Sequence, residues 1–154
     1  MQPSSLSWEP QVGSNVGPYE IRSVLGRGGT SVVYRAQHPN GSQGVALKVL
    51  RPEFRLDTSY RGRLEREGSV LQQLQHPNLL GFIEFGEHES LLYVALEFVA
   101  GISLRQLLQM RQRLEPTRAL EIFGQVLQGL ECAHGHSILH RDLKPENVLL
   151  AEQG

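Results

Sequence analysis

The chain has 154 residues, with 15 Lys and Arg against 16 Asp and Glu and a formal net charge of -1, so no basic excess points to nucleic acid and no charged tail stands out. Apolar residues make up 40%, enough for a core, but no apolar run reaches the roughly 18–20 residues of a membrane span, and the longest, Leu91 to Ala100, contains Glu97. The chain does not open with an apolar stretch behind basic residues, and its single cysteine, Cys132, allows no internal disulfide, which implies no signal peptide and a reducing, cytoplasmic setting.

Residues 1–18 are rich in Pro, Ser, Gly, Asn and Gln and read as a flexible lead-in, with Trp8 the exception: an isolated tail aromatic is the favoured reading over one that docks on the fold. Regular structure is expected from Tyr19, where Tyr19, Ile21, Ser23 and Leu25 alternate with Glu20, Arg22 and Val24 as in a strand. Gly26, Gly28 and Gly29 follow, and Val32 to Ala36 reads as a second strand. Pro39-Asn40-Gly41-Ser42 marks a turn, and Val45 to Leu50 forms a third strand closed by Pro52. The opening is thus an antiparallel meander with a glycine-rich first turn. A helix is expected over about Thr58 to Gln75, with Leu64, Leu71 and Leu74 on one face and Glu67 on that same face. Strands over Leu79 to Phe85 and Leu91 to Phe98 come next, joined through Glu87, His88 and Glu89. Beyond Gly101 the period becomes helical. Leu104, Leu107 and Leu108 mark a short helix, and Pro116 opens a longer one carried by Leu120, Phe123, Val126, Leu127 and Leu130 to about Ala133 and His134. Five strands with one inserted helix, then helices, make an α+β plan. A sheet-rich part over about 19–100 leads into a helical part over about 101–154.

Three segments carry candidate chemistry. Gly26 to Val33 lies between two strands. A lone Gly-x-Gly can be an ordinary hairpin turn, where glycine supplies positive φ. A dinucleotide-binding turn would need a helix where Val32-Val33-Tyr34 reads as strand. A glycine hairpin with open backbone N–H groups can instead lie over phosphates without side chains in the way. Lys48, in Val45-Ala46-Leu47-Lys48, could snorkel to water like any strand lysine. Glu67 shifts that balance, because a carboxylate on an apolar stripe is costly without a cation, and Lys48 is in reach if the helix packs on the sheet. The pair would leave the ammonium aimed at a phosphate. The densest polar cluster is His140-Arg141-Asp142-Leu143-Lys144-Pro145-Glu146-Asn147, followed by Val148-Leu149-Leu150. Asp142 can accept a hydroxyl proton, Lys144 can offset charge on a transferred phosphoryl group, and Asn147 offers a neutral oxygen to a hard cation such as magnesium. Cys132-Ala133-His134-Gly135-His136 could supply metal donors, but helical periodicity makes it the end of the long helix, and a structural zinc site needs four placed ligands.

The glycine loop, the Val45-Ala46-Leu47-Lys48 strand, the helix glutamate and the His-Arg-Asp loop together resemble the protein kinase family, from about Tyr19 to the C-terminus. Lys144-Pro145-Glu146-Asn147 is similar to serine/threonine kinases rather than tyrosine kinases. Ser31 in place of the third loop glycine, together with Gly29, resembles the eukaryotic-like kinases of bacteria. His76-Pro77-Asn78 resembles the family's link between the inserted helix and the fourth strand.

This resemblance implies a protein-kinase-like fold, ATP and Mg2+ as cofactors, and a protein substrate phosphorylated on Ser or Thr. It places Gly26, Gly28, Gly29 and Ser31 over the ATP phosphates, and Lys48, held by Glu67, on the α- and β-phosphates. Leu25, Val33 and Ala46 would line the adenine site from above and Leu149 from below. Leu96 would be the gatekeeper, and Glu97 and Val99 would present hinge backbone groups. Asp142 would be the catalytic base or substrate-orienting carboxylate, Lys144 the γ-phosphate contact and Asn147 a magnesium ligand. Leu71, Phe82 and His140 would belong to a packed spine, and Arg141 would meet a phosphorylated activation loop. The 154 residues contain no Asp-Phe-Gly or Ala-Pro-Glu motif. The expectation is therefore an incomplete domain with little activity by itself and with apolar surface left open along Leu120, Phe123, Val126 and Leu127. The alternative from a different class is a non-catalytic kinase-like module that binds nucleotide or a partner. A small-molecule kinase of the same fold is disfavoured by Lys144-Pro145-Glu146.

Overall fold

The computed structural model describes residues 8–152; the side chains of Arg63, Leu64 and Glu67 lie outside the described set. The chain divides into two compact units, Met1–Gln73 with Phe82–Phe98, and Leu74–Gly81 with Val99–Gly154.

The first unit is built on an antiparallel sheet. Its strands are β1 (Asn15–Val16), β2 (Tyr19–Arg27), β3 (Ser31–Gln37), β4 (Gly44–Leu50), β5 (Phe82–His88) and β6 (Leu91–Glu97), in the order β1-β2-β3-β4-β6-β5. The five expected strands are present, and the two-residue β1 joins them by pairing with β2. Alternation decides which face is buried. Val32, Tyr34 and Ala36 of β3 and Val45, Leu47 and Val49 of β4 are buried, while Val33, Ala46 and Lys48 between them are half-buried. Val16, Tyr19, Ile21, Tyr93 and Ala95 complete this core. Each buried Val, Leu or Ile of this set contributes about 1.5–3 kcal/mol relative to exposure. Packing therefore starts before Tyr19: Val16 is buried, and Trp8, read from the sequence as an isolated tail aromatic, lies partly buried against the core.

Simple alternation fails along β2. Ile21 pairs with Ala36 but Ser23 with Arg35, and Val24 pairs with Tyr34 but Gly26 with Val33. Two bulges thus skip Arg22 and Leu25, and each bends the strand locally. The strand expected from Leu79 begins at Phe82.

The inserted helix α1 (Thr58–Leu71) is capped by Asp57, whose carboxylate accepts the N–H groups of Ser59 and Tyr60 at 3.1 and 3.0 Å. Gly68 brings α1 close to β5, since a Cβ there would stand 2.9 Å from Cζ of Phe82. Arg61 of α1 also meets Glu87 of β5 at 3.0 Å.

The second unit holds β7 (Gly101–Ser103), α2 (Leu104–Arg111), α3 (Pro116–Gly135) and β8 (Leu149–Ala151). Ser103 caps α2 through a reciprocal box: its hydroxyl accepts the Gln106 N–H at 3.2 Å, and its own N–H donates to Gln106 Oε1 at 2.8 Å. Pro116 opens α3 in the first helical turn, where its missing N–H costs nothing. The segment His76-Pro77-Asn78 folds on α3, with Asn78 Nδ2 donating to Gln125 Oε1 at 3.2 Å. Gly129 permits this approach, because a Cβ there would lie 2.8 Å from the Asn78 carbonyl oxygen. Leu120, Phe123 and Leu127 on α3 are exposed, as expected from the sequence, and Val126 is half-buried. Among the described residues no helix is long and apolar enough to cross a membrane.

Candidate active site

In the first unit the glycine-rich turn joins β2 to β3. Gly26 and Gly29 have open space where a Cβ would stand, so the backbone there is accessible. The Gly28 N–H donates to the Ser31 carbonyl at 2.8 Å and closes the turn. Ser31 itself is buried and paired with Leu50. Arg51, just past β4, holds the turn through two bonds: its N–H donates to the Thr30 carbonyl at 2.9 Å and its Nη2 to the Gly28 carbonyl at 3.2 Å. Nothing local in the sequence marks Arg51 for this, since the contact spans 23 residues.

Strand register brings several predicted residues onto one face. Val33 lies opposite Lys48, Ala46 opposite Leu96, and Lys48 opposite Val94. With period two, Val33, Ala46, Lys48, Val94 and Leu96 share the face turned away from the core cluster. All five are half-buried. Glu97 is exposed at the end of β6 and paired with Val45. Leu25, at the bulge, is 49% exposed. The expected Lys48–Glu67 pair falls on a side chain outside the described set.

In the second unit, residues 140–151 form a loop, a short 3-10 turn over Pro145–Asn147, and β8. Arg141 has φ +62°, a left-handed conformation that costs roughly 1–2 kcal/mol for a residue with a Cβ. This turn sets Asp142, whose N–H donates to His140 Nδ1 at 3.2 Å. His140, expected in a packed spine, is instead exposed, its ring engaged by the loop backbone; Leu71 and Phe82 are half-buried. Lys144 Nζ lies 3.1 Å from Asp142 Oδ2. Asn147 Nδ2 donates to the Asp142 carbonyl at 2.8 Å and to its Oδ2 at 3.2 Å. Asp142, Lys144 and Asn147 are thus brought together.

The pair is solvent-exposed and adds little to stability. What it fixes is charge state: the Lys144 ammonium beside Asp142 holds that carboxyl below the usual range, and the Asn147 amide acts the same way. The loop is tied to its unit at three points. Glu146 takes an ion pair from Arg105 of α2 at 2.9 Å, and its own backbone N–H followed by Arg105 holds it ionised. The Val148 carbonyl accepts the Leu104 N–H at 2.8 Å. β8 pairs with β7, setting Leu149 opposite Ser103 and Leu150 opposite Ile102. Gly101 is obligatory there: it has φ +154°, and a Cβ would collide with the Leu150 carbonyl. Leu149 is exposed and Val99 half-buried. Arg105 and Gly101 carry no sequence signal, because their partners lie more than 40 residues away.

For a hard cation the donor set fits at one position. Asn147 commits its amide N–H groups to Asp142, which leaves its carbonyl oxygen as a neutral ligand of the type magnesium prefers. Among the described residues no group of three or more His, Cys, Asp or Glu is placed to hold a metal. The Cys132–His136 stretch ends α3, with His136 Nδ1 2.9 Å from the Cys132 carbonyl.

Residues 19–154 match the family described as the protein kinase domain. The chain is 38% identical over 141 residues to the serine/threonine-protein kinase PknD of Mycobacterium tuberculosis, covering 92% of this chain and 21% of that protein. It is 40% identical over 137 residues to a probable serine/threonine-protein kinase PknB of Lactococcus lactis, covering 88% and 22%. The fold resembles the crystal structure of the M. tuberculosis PknI kinase domain, with TM-score 0.84 and 34% identity over 94% of this chain and 59% of that one. The chain thus spans about a fifth of the length of the curated relatives it matches.

Proposed function

The chain belongs to the protein kinase domain family, and from that premise we propose that it serves an ATP-dependent serine/threonine protein kinase, moving the γ-phosphoryl group to a Ser or Thr hydroxyl in a cytoplasmic signalling setting. The observation that carries the reading is the Asp142–Lys144–Asn147 cluster, three chemically distinct groups within hydrogen-bond or ion-pair distance on one tied loop.

Each group has a role on this reading. The Asp142 carboxylate orients the acceptor hydroxyl and takes its proton as the hydroxyl oxygen bonds to the γ-phosphorus. The bond from that phosphorus to the bridging oxygen breaks, and ADP leaves. Lys144 offsets charge on the phosphoryl oxygens in flight. Asn147 would hold a magnesium ion through its carbonyl oxygen, and that ion would neutralise phosphate charge. The glycine turn, with open space at Gly26 and Gly29, covers the phosphates with backbone N–H groups, Gly28 and Ser31 fixing its shape. Lys48 contacts the α- and β-phosphates and is steadied by Glu67. Leu25, Val33, Ala46, Leu96 and Leu149 supply apolar contact to adenine, and the backbone at Glu97 and Val99 meets its polar edge. The 154 residues contain no Asp-Phe-Gly carboxylate, so alone they transfer phosphoryl groups more slowly than a polypeptide that supplies it.

Transfer from γ-labelled ATP to Ser/Thr acceptor peptides, in the polypeptide that carries this sequence, tests the reading. Asp142→Asn should lower the rate by about 10²–10⁴-fold while Mg–ATP binding persists. An Asp142→Asn protein with undiminished transfer would sink the assignment. A wild-type polypeptide that binds Mg–ATP but transfers nothing would instead identify a nucleotide-binding module.

A further inference from the structure

We propose that Trp8 and Glu9 are positioning residues for the glycine-rich turn, reaching it through Arg51 and Arg27. This rests on the nucleotide-binding reading for its functional consequence but not for its structural content.

Two separate contacts run from this segment to the turn. Glu9 Oε2 takes an ion pair from Arg27 Nε at 3.1 Å, and its side chain is only 23% exposed. Arg27 is the last residue of β2 and directly precedes Gly28. The second contact passes through Arg51, whose guanidinium carbon lies 5.5 Å from the Trp8 ring centroid. The same side chain donates to the Gly28 carbonyl, and its backbone N–H donates to the Thr30 carbonyl. Arg51 Nε is buried without a hydrogen-bond partner. A half-buried guanidinium with one unpaired N–H gains from the face of an aromatic ring. Trp8 is itself partly buried against the sheet core, so the ring is a fixed platform. The segment is anchored further along, where the Gly13 N–H donates to the Ile21 carbonyl at 2.8 Å and the Ile21 N–H to the Ser14 carbonyl at 2.9 Å. The Glu9 carboxylate also acts on Tyr34, whose hydroxyl is pushed up first by burial and then by that charge.

The consequence concerns the turn. Glycine backbone has the most conformational freedom to lose, so a turn built on Gly26, Gly28 and Gly29 needs outside restraint to present its N–H groups in one geometry. Beyond the β2–β3 ladder, which pairs Gly26 with Val33 and Arg27 with Val32, the restraints among the described residues include the Gly28–Ser31 bond and the two arginines, and both arginines are held in turn by residues 8 and 9. The contribution is to pre-organisation, and it acts on the phosphate end of a nucleotide rather than on the base.

Two measurements on the full 154-residue chain separate the possibilities. Amide hydrogen exchange at Gly28 and Arg51 reads the turn directly. Glu9→Gln and Trp8→Ala should each speed it about fivefold, while Val12→Ser, on an exposed site of the same segment, leaves it unchanged. Unchanged exchange in both Glu9→Gln and Trp8→Ala overturns the proposal. Calorimetric titration then compares a non-hydrolysable Mg–ATP analogue with adenosine. The two variants should weaken the analogue about three- to tenfold and leave adenosine within twofold. Equal loss for both ligands would show general loosening of the fold and also overturns it. If the wild-type chain binds neither ligand, the effect on nucleotide binding fails for these 154 residues, and hydrogen exchange still decides the positioning role.

Discussion

At Asp142 the decisive quantity is a protonation equilibrium. Its carboxyl is held below the ordinary range chiefly by Lys144. A depressed folded-state value means that the ion pair's contribution is present above the unfolded carboxyl's titration and is lost as pH falls through the folded one. Lys144→Gln should therefore move the Asp142 midpoint up, towards the ordinary carboxylate range, in a carboxyl NMR titration. A midpoint unmoved by the substitution would mean that the pair does not form in solution. The residues of this cluster were legible in the sequence because Asp142, Lys144 and Asn147 lie within six positions on one loop. Arg51, Arg105 and Gly101 were not, because each acts on a partner that only the folded chain brings near. The left-handed turn at Arg141 was also hidden, since nothing in that side chain favours the conformation.

Two glycines of α3 separate propensity from packing. In a helix interior Gly→Ala ordinarily gains up to about 1 kcal/mol. Gly124 has open space for a Cβ, so Gly124→Ala should show that gain. Gly129 has the Asn78 carbonyl oxygen 2.8 Å away, and backbone cannot step aside cheaply. Gly129→Ala should therefore destabilise by about 1–3 kcal/mol, read by urea denaturation beside Gly124→Ala. Equal effects at the two sites would show that α3 does not pack on residues 76–79. Element types read well from the sequence, because apolar period is a local property: α2, α3 and strands β2 to β4 fall within a few residues of expectation. Three features read poorly for physical reasons. The bulges of β2 break a period that sequence reading assumes constant. β1, β7 and β8 are two or three residues long, too short to show one. Leu79 to Gly81 look like strand by composition, but Leu79 packs against Gly129 of α3 and the stretch falls in the second unit.

Over the whole molecule the exposed apolar row on α3 carries a prediction about solution behaviour. Leu120, Phe123 and Leu127 are 70%, 58% and 48% exposed. A contiguous patch of this kind promotes association. The 154-residue chain should self-associate as concentration rises in sedimentation velocity. The triple change Leu120→Gln, Phe123→Gln and Leu127→Gln should suppress this while shifting the melting temperature by only a few degrees, about what surface changes allow. Association unaffected by the triple change would locate the contact elsewhere. The strand order has a further consequence. β4 pairs with β6, not with the β5 that precedes it, and the chain visits the second unit at Leu74–Gly81 before returning to finish the first. During synthesis from the N-terminus, the β-meander of β1 to β4 can form while later residues are still inside the ribosome. Its outer edge at β4, however, stays open to any passing strand until Glu97 has emerged and β6 can dock. For a nascent chain, the interval between Leu50 and Glu97 is the window in which mispairing competes with folding.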